Sequence, residues 1–562
     1  MTAMIGSTLR FHDSGTDGAG PGLWYGANAP EGNVGDFARS PAGTLYYRKV
    51  GAGGVWFEKV ANQQTSSDWL PVRHTINVRA YGAVGNGTTD DAAAFAAAFA
   101  ALTSAGGGRL YIPFGTYLLA GSISLSVPSN CIAYGDGPGA SVLLIERDSD
   151  GHTFWCNGVT DVCVRDLAVL RTEVRTATPA KKNAAVEIDA SSRILIENVH
   201  AIGTYYGFQV GNNSETPSYD ITFRNCKAWQ PNAFTNTYQC SYGIATKFVD
   251  QLKILFCEFD GFWLDGIKIN RNTEGVQVIG CKSNNNGVSR DYGLNGNGID
   301  TYAGSKEVLL LGGEFCNNGG AGIYAKATDT ENTDAGGYGT ARGLRVIGVI
   351  ASGNASGGLT CQDSGVPVFQ GQIIGGHFDD NATYGIYLAA RQMSVEGVVC
   401  RKNQREGIYI APESWGIVLV APQVIANSQE SAGTYHGISV NGQQIQIIAP
   451  HIDGADSNDL SEVSEYSALT KYHNRSISIG GSAVNVAVRE GIYQNQASAG
   501  TPIRVDSGAQ SVTVNGVFSV SPESVLASGP GSFIVSRSDG KAYIKTTAEG
   551  TATGWAELAT VE

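Results

Sequence analysis

A short pattern returns nine times between residues 200 and 440: one or two polar residues, a glycine, then an alternating apolar strand. It reads YYGFQV at Gly207, SYGIAT at Gly243, LDGIKI at Gly266, GNGIDT at Gly298 and GAGIYA at Gly322, then SGGLTC at Gly358, TYGIYL at Gly385, REGIYI at Gly407 and YHGISV at Gly437. Successive glycines lie 22 to 36 residues apart, a period that belongs to solenoids, and the strand character makes this a β-solenoid. Length alone would divide the chain into about three or four domains. The repeat predicts one long rod instead.

Strand alternation assigns the faces. Residues one after each glycine point inward, and all are large and apolar: Phe208, Ile244, Ile267, Ile299, Ile323, Leu359, Ile386, Ile408 and Ile438. Residues two after it form an exposed column that includes Lys268, Asp300, Tyr324, Tyr387 and Tyr409. Asn318, Asn354, Asn381 and Asn403 each stand four residues before their glycine, where side-chain amides of successive rungs stack into a ladder. Cys257, Cys281, Cys316 and Cys400 fall just before that corner and are expected as an inert interior stack.

Composition narrows the function classes. The 74 glycines among 562 residues are roughly twice the usual share, without the Gly-X-Y period of collagen. The net charge of −13 and the lack of Lys/Arg runs argue against nucleic acid as a partner. The opening MTAMIGSTLRFHDSGTDGAG has no basic segment followed by an apolar one, and nowhere do 18 apolar residues run together. A chain neither exported by a signal peptide nor inserted in a membrane is expected. Neither CxxC nor a Cys/His ligand spacing occurs, so no metal and no cofactor is predicted.

Before the repeat, TTDD leads into an Ala-rich segment in which Phe95, Phe99 and Leu102 recur at helical spacing up to Gly106. Asp90 and Asp91 read as N-capping acids of a helix that plugs the open end of the solenoid. At the two termini one small β-module is used twice. Residues 32–60 and 529–558 each run from a Gly-rich start through a turn at Gly43 or Gly540 and a Tyr strand (Tyr46, Tyr543) to Trp56 or Trp555.

The segment AYGAVGNGTTDDAAAF, with the glycine turn and RLYIPFGTYLL that follow, resembles the opening motif of pectate-lyase-like right-handed β-helix proteins. It is most similar to bacteriophage tailspikes and capsule depolymerases. The resemblance implies an all-β fold: a right-handed parallel β-helix with a short N-terminal capping helix and small β-modules at both ends. It also implies a homotrimer located in the virion. The organisation expected is an N-terminal virion-attachment module over 1–70 that docks on a tail or baseplate protein, a β-helix over 71–515 with its opening motif and helix at 75–119, and a trimer-capping module over 516–562. The implied substrate is a bacterial surface polysaccharide. Fold alone does not fix the reaction, since one scaffold hosts many chemistries.

No GxSxG elbow, P-loop or HExxH is present, and the family's polygalacturonase-type Asp run followed by GHG and RIK is missing. Paired-carboxylate hydrolysis and β-elimination remain. Asp265 immediately precedes Gly266, and Asp300 stands two after Gly298. Strand geometry puts their Cα atoms roughly 11 Å apart, wider than the ~5 to 9.5 Å that glycosidase carboxyls span, so leaning side chains would have to close the gap. Lys268 is expected beside Asp300 on the adjacent rung, with Tyr242, Tyr302 and the Tyr324, Tyr387 and Tyr409 column as sugar-binding rings. A lyase would use Lys268 or Arg271 near a uronate. Alternatively, Lys268 and Asp300 form a solvated ion pair of little consequence, or the spike binds its receptor without catalysis. Asp291, Asp329, Glu331 and Asp334, in two long insertions, are reserve carboxylates.

Overall fold

The structure is a computed structural model. It describes residues 75–516 except 122–123, 146–150, 172–182, 212–215, 232–240, 289–295, 303, 327–341, 362–367, 431–433, 454–475 and 495–502, and the backbone of short strands in 1–74 and 517–562.

A typical turn of the chain lays down three strands, as in Ile267–Ile269, Glu274–Ile279 and Lys282–Asn284, before the next turn starts at Ile299–Thr301. Each pairs in parallel with its equivalents one turn before and after. The stack has three faces. A glycine face of fifteen described strands runs from Leu125–Ser126 to Leu526–Ala527. A long second face follows in each turn, and a third continues as Val399–Arg401, Gln423–Ile425, His451–Asp453 and Ile492–Gln494. The nine inward residues named above are all fully buried, and the register extends their column to Ile477 and Ile503. Burial of each such side chain stabilises the rod by about 1.5–3 kcal/mol.

The repeated glycines are there for close approach. A Cβ on Gly243, Gly298, Gly358 or Gly385 would stand 2.5 to 2.8 Å from the carbonyl oxygen of the glycine one turn on. It would also meet the asparagine ladder: the side-chain amides of Asn318, Asn381 and Asn403 lie 2.8 to 2.9 Å from the Cβ positions of Gly298, Gly358 and Gly385. A second set of glycines has the other reason. Gly280, Gly312, Gly348, Gly375 and Gly397 take φ of 60 to 61° at the bend between the second and third faces, the left-handed region that glycine enters without steric cost.

The ladder is longer than the four residues expected. Asn286, Asn318, Asn354, Asn381, Asn403 and Asn427 are all buried, and each side-chain amide donates to the Oδ1 of the next at 2.7 to 3.0 Å. The backbone N–H of each donates to the same oxygen.

The cysteine expectation needs correction. Cys257 and Cys281 are stacked inside with Cys226, and their thiols donate to backbone carbonyls. Cys400 occupies the following inward slot, in register with Ser283 and Phe315 by way of the bridges at 314, 350 and 377. Cys316 points outward, because Glu314 pairs with Lys282 and so places Phe315 in the interior. Variable loops separate these cysteines from their glycines, so distance along the chain does not report the slot.

The helix at Ala92–Ser104, α1, covers the first turn as expected. Phe95, Phe99 and Leu102 are buried, with Phe95 edge-on to Tyr117 at 5.4 Å and Phe99 to Phe154 at 6.3 Å. The two acids act differently from plain first-turn caps. Asp90 ends a strand and accepts from the N–H groups of Ala92 and Ala120. Asp91 is buried, makes no side-chain cap bond, and accepts instead from Val84 and Gly85.

In the N-terminal module Leu45–Val50 pairs antiparallel with Gly53–Lys59, which pairs with Trp69–Pro71. In the C-terminal one Phe533–Ser536, Ala542–Lys545 and Trp555–Glu557 form an antiparallel meander. Its first strand also pairs in parallel with Gln510–Gly516 of the solenoid.

Asn354→Ala removes the partners of Asn318 N and Nδ2, of Phe315 O and of Asn381 Oδ1. It is expected to lower stability by about 2–5 kcal/mol, read from the urea unfolding midpoint. A loss below about 1 kcal/mol would mean that water substitutes for the amide.

Candidate functional site

The outward column of the glycine face is more covered than alternation alone suggests. Asp300, Thr360 and Ser439 are buried, and Lys268 is mostly so. Lys268 stands opposite Asp300 in register, as expected, but the pair is not solvated: the side chains are 13% and 3% exposed. The Lys268 ammonium donates to Asp300 Oδ2 and lies 3.5 Å from Asp265 Oδ2. A single cation therefore bridges both carboxylates, which keeps their nearest oxygens no more than about 6 Å apart, so the separation no longer exceeds the span of hydrolase pairs. The backbone separation is spanned by side chains leaning toward one ammonium.

Asp265 is fixed from its other side. Its Oδ1 accepts from the backbone N–H of Asn297 at 2.8 Å and from Asn297 Nδ2 at 2.9 Å. Asn297 precedes Gly298 as Asp265 precedes Gly266, so aligning consecutive rungs on their glycines would have found this partner. Burial pushes the Asp265 carboxyl up to about 6, against the opposing pull of Lys268. The Lys268 ammonium is held well above its usual range, since attraction to Asp300 and Asp265 exceeds the cost of burial. Asp300 Oδ1 is buried and has no hydrogen-bond partner among the described residues.

The tyrosines divide into two groups. Tyr242 stacks on Tyr206 at 5.9 Å with planes 6° apart, and burial pushes its phenol up to about 12. Tyr302 lies under two ammoniums, Lys268 at 4.7 Å and Lys326 at 5.0 Å, and Lys326 is also 4.8 Å from the Tyr324 ring. Tyr242, Tyr302 and Tyr324 border the Asp265–Lys268–Asp300 trio. Tyr387 and Tyr409 do not. They follow Tyr324 only after Thr360, three and four rungs from Asp300, or roughly 14 and 19 Å. They stack on each other at 5.3 Å with planes 8° apart, and Tyr384, missed in the sequence, packs on both. Rings stacked along the rod cover one another's faces, so edges and hydroxyls are presented where open ring faces were expected. Beside them Glu406 is buried, accepts from Ser439 Oγ at 3.2 Å and is raised by that burial. Asp291, Asp329, Glu331 and Asp334 lie outside the described residues. Among the described residues no cluster of three metal-ligating side chains occurs.

Residues 75–154 match the family described as rhamnogalacturonase A/epimerase, pectate lyase-like, and residues 171–337 match the right handed beta helix region. The fold is a right-handed parallel β-helix. This β-helix is 24% identical over 272 residues to mannuronan C5-epimerase AlgE3 of Azotobacter vinelandii, covering 45% of this chain and 14% of that protein. It is 24% identical over 259 residues to the pre-neck appendage protein of Bacillus phage phi29, covering 44% and 26%. The matches thus span 14% to 26% of the length of these relatives. A double mutant of the tailspike protein of E. coli bacteriophage HK620 superposes with a TM-score of 0.52 at 12% identity, over 77% of this chain and 80% of that one. At that identity the likeness is one of fold.

Replacing Lys268 by Met leaves Asp265 and Asp300 buried side by side without a counter-charge. The β-helix is expected to lose about 3–5 kcal/mol at neutral pH, and less in acid, where carboxyls so placed take up protons. Urea unfolding of both proteins near pH 7 and near pH 5 checks this; an equal loss at both would place the cost in packing.

Proposed function

We propose that this β-helix is a phage tailspike that binds a bacterial surface polysaccharide and cleaves it as an endo-glycosidase, with Asp265 as general acid and Asp300 as base or nucleophile. The observation that carries the proposal is the buried carboxyl pair on one ammonium, with Asp300 Oδ1 left unpartnered. Glycoside hydrolysis needs one carboxyl that holds a proton for the leaving oxygen and one that is ionised to attack or to activate water. Burial equips Asp265 for the first task. Asp300, whose Oδ2 accepts from the Lys268 ammonium while its Oδ1 is unpartnered, is assigned the second.

β-Elimination or C5 epimerisation of a uronate is the second reading. It is favoured by Lys326, which makes no ion pair with a described residue and which, with Lys268, flanks Tyr302. The curated relatives that are mannuronan epimerases agree with it. Against it, attraction to Asp300 and Asp265 raises the Lys268 ammonium and burial raises the Tyr242 phenol, which disfavours either as the base.

Purified protein incubated with host capsule or lipopolysaccharide separates the readings. New reducing ends without ultraviolet absorbance indicate hydrolysis, unsaturated ends indicate elimination, and binding without shortening of the polymer leaves a non-catalytic spike. Asp265→Asn and Asp300→Asn are each expected to lower the cleavage rate by about 10²–10⁴-fold. The wild-type rate should fall as pH rises through about 6, where Asp265 loses its proton. Full activity in both variants would sink the assignment.

The same proposal holds the spike to be a homotrimer, its N-terminal module docking on the tail and its C-terminal module capping the assembly. Support comes from the second face, where Leu255, Ile279, Leu311, Ile347 and Ile374 stand in register on the outer side, with Leu311 and nearby Phe256 exposed. A straight apolar stripe suits a parallel copy of the same rod. Leu311→Glu combined with Ile347→Glu is expected to shift the light-scattering mass from trimer toward monomer; an unchanged trimer would place the interface elsewhere.

A further inference from the structure

On the third face, Lys227–Trp229, Glu258–Asp260 and Lys282–Asn284 lie in register, so that Lys227, Glu258 and Lys282 form one outward column and Trp229, Asp260 and Asn284 another. His200 precedes Lys227 in the first column and meets the indole of Trp229 edge-on at 5.4 Å. Along the second column a large ring is followed by two short polar side chains. That drop in height leaves a cavity of about 440 Å³ bordered by both columns.

The charges around the cavity are largely balanced. Lys227 pairs with Glu258 at 2.8 Å and Lys282 with Glu314 at 3.0 Å, while Asp260 Oδ1 accepts from Asn285 Nδ2 at 2.6 Å. Burial and the neighbouring Lys227 hold the His200 imidazole below its usual range, so it stays neutral at pH 7. What remains is an indole beside carboxylate, amide and ammonium groups able to hydrogen-bond. A strongly charged ligand would find no surplus of opposite charge. A pyranose brings an apolar face for a ring and hydroxyls for the polar groups.

We infer that this cavity is a second saccharide site, on a different face from the Asp265–Lys268–Asp300 cluster, which takes neutral pyranose units through Trp229, Asp260 and Asn284 and does no chemistry. It would hold a polymer segment against the rod, and linked weak sites raise the overall hold well above either alone. The inference stands whether or not the glycine face cleaves.

The test uses the full chain labelled with 5-fluorotryptophan, the Trp229 resonance being the one lost in Trp229→Phe. The probes are methyl glucoside, methyl galactoside, methyl mannoside and N-acetylglucosamine, each titrated to high millimolar concentration. At least one is expected to move the Trp229 resonance saturably. Asp260→Ala should weaken that response at least tenfold without changing the melting temperature, and glucuronate should give a weaker response than the neutral sugars. Asp265→Asn and Asp300→Asn should leave the response intact, which separates failure here from failure of the cleaving site. If none of the four neutral sugars moves the resonance, or if Asp260→Ala binds as tightly as wild type, the inference is wrong.

Discussion

The interlock of glycine and asparagine at one corner is the constraint on which the rod depends. Each amide of the ladder needs the space that a Cβ would fill, and each glycine strand can approach the next only because that Cβ is missing. Within the ladder the amide satisfies both itself and the backbone N–H of its neighbour at full burial. Unpaired polar groups at such depth are costly, so the register of one turn fixes the register of the next. Loops between turns are then free to vary in length without disturbing the stack.

The candidate site is built on the same frame. Asp265 and Asn297 hold the position just before the glycine in consecutive turns, and their hydrogen bonds copy the ladder's logic closer to the glycine. The glycine strands then set Lys268 opposite Asp300. A rigid frame allows two carboxylates to stay buried around one cation, an arrangement whose desolvation cost is recovered only when geometry is well fixed. Preorganisation of this kind is what an active site requires.

Much of the fold was legible because its causes are local and periodic. The glycine spacing, the inward aliphatic column and the helix with Phe95, Phe99 and Leu102 each follow from one repeated physical demand, and all appear where the pattern puts them. The rest depended on what variable loops conceal. Cys316 and Cys400 stand six and seven residues before their glycines, yet the single-residue bridge at Glu314 turns Cys316 outward while Cys400 stays inside. The two glycine sets, one for close approach and one for positive φ, are indistinguishable as letters. The site was partly legible: Asp265, Lys268 and Asp300 do come together, but their burial and the partnership of Asn297 and Lys326 depend on turn-to-turn alignment. The tyrosines show the limit most plainly, since a column of rings in sequence says nothing about whether the rings display their faces or stack them away.

The ladder also gives the rod a polarity. From Asn286 to Asn403 every side-chain amide donates one N–H to the next turn, and from Asn318 to Asn427 every Oδ1 accepts from the turn before. Five amides aligned in this way do not cancel as alternating strand dipoles do; they sum, as peptide dipoles sum along a helix. One buried corner therefore carries a partial positive charge at its Asn427 end and a partial negative charge at its Asn286 end. A chain molecule lying lengthwise on the adjoining face meets two inequivalent ends.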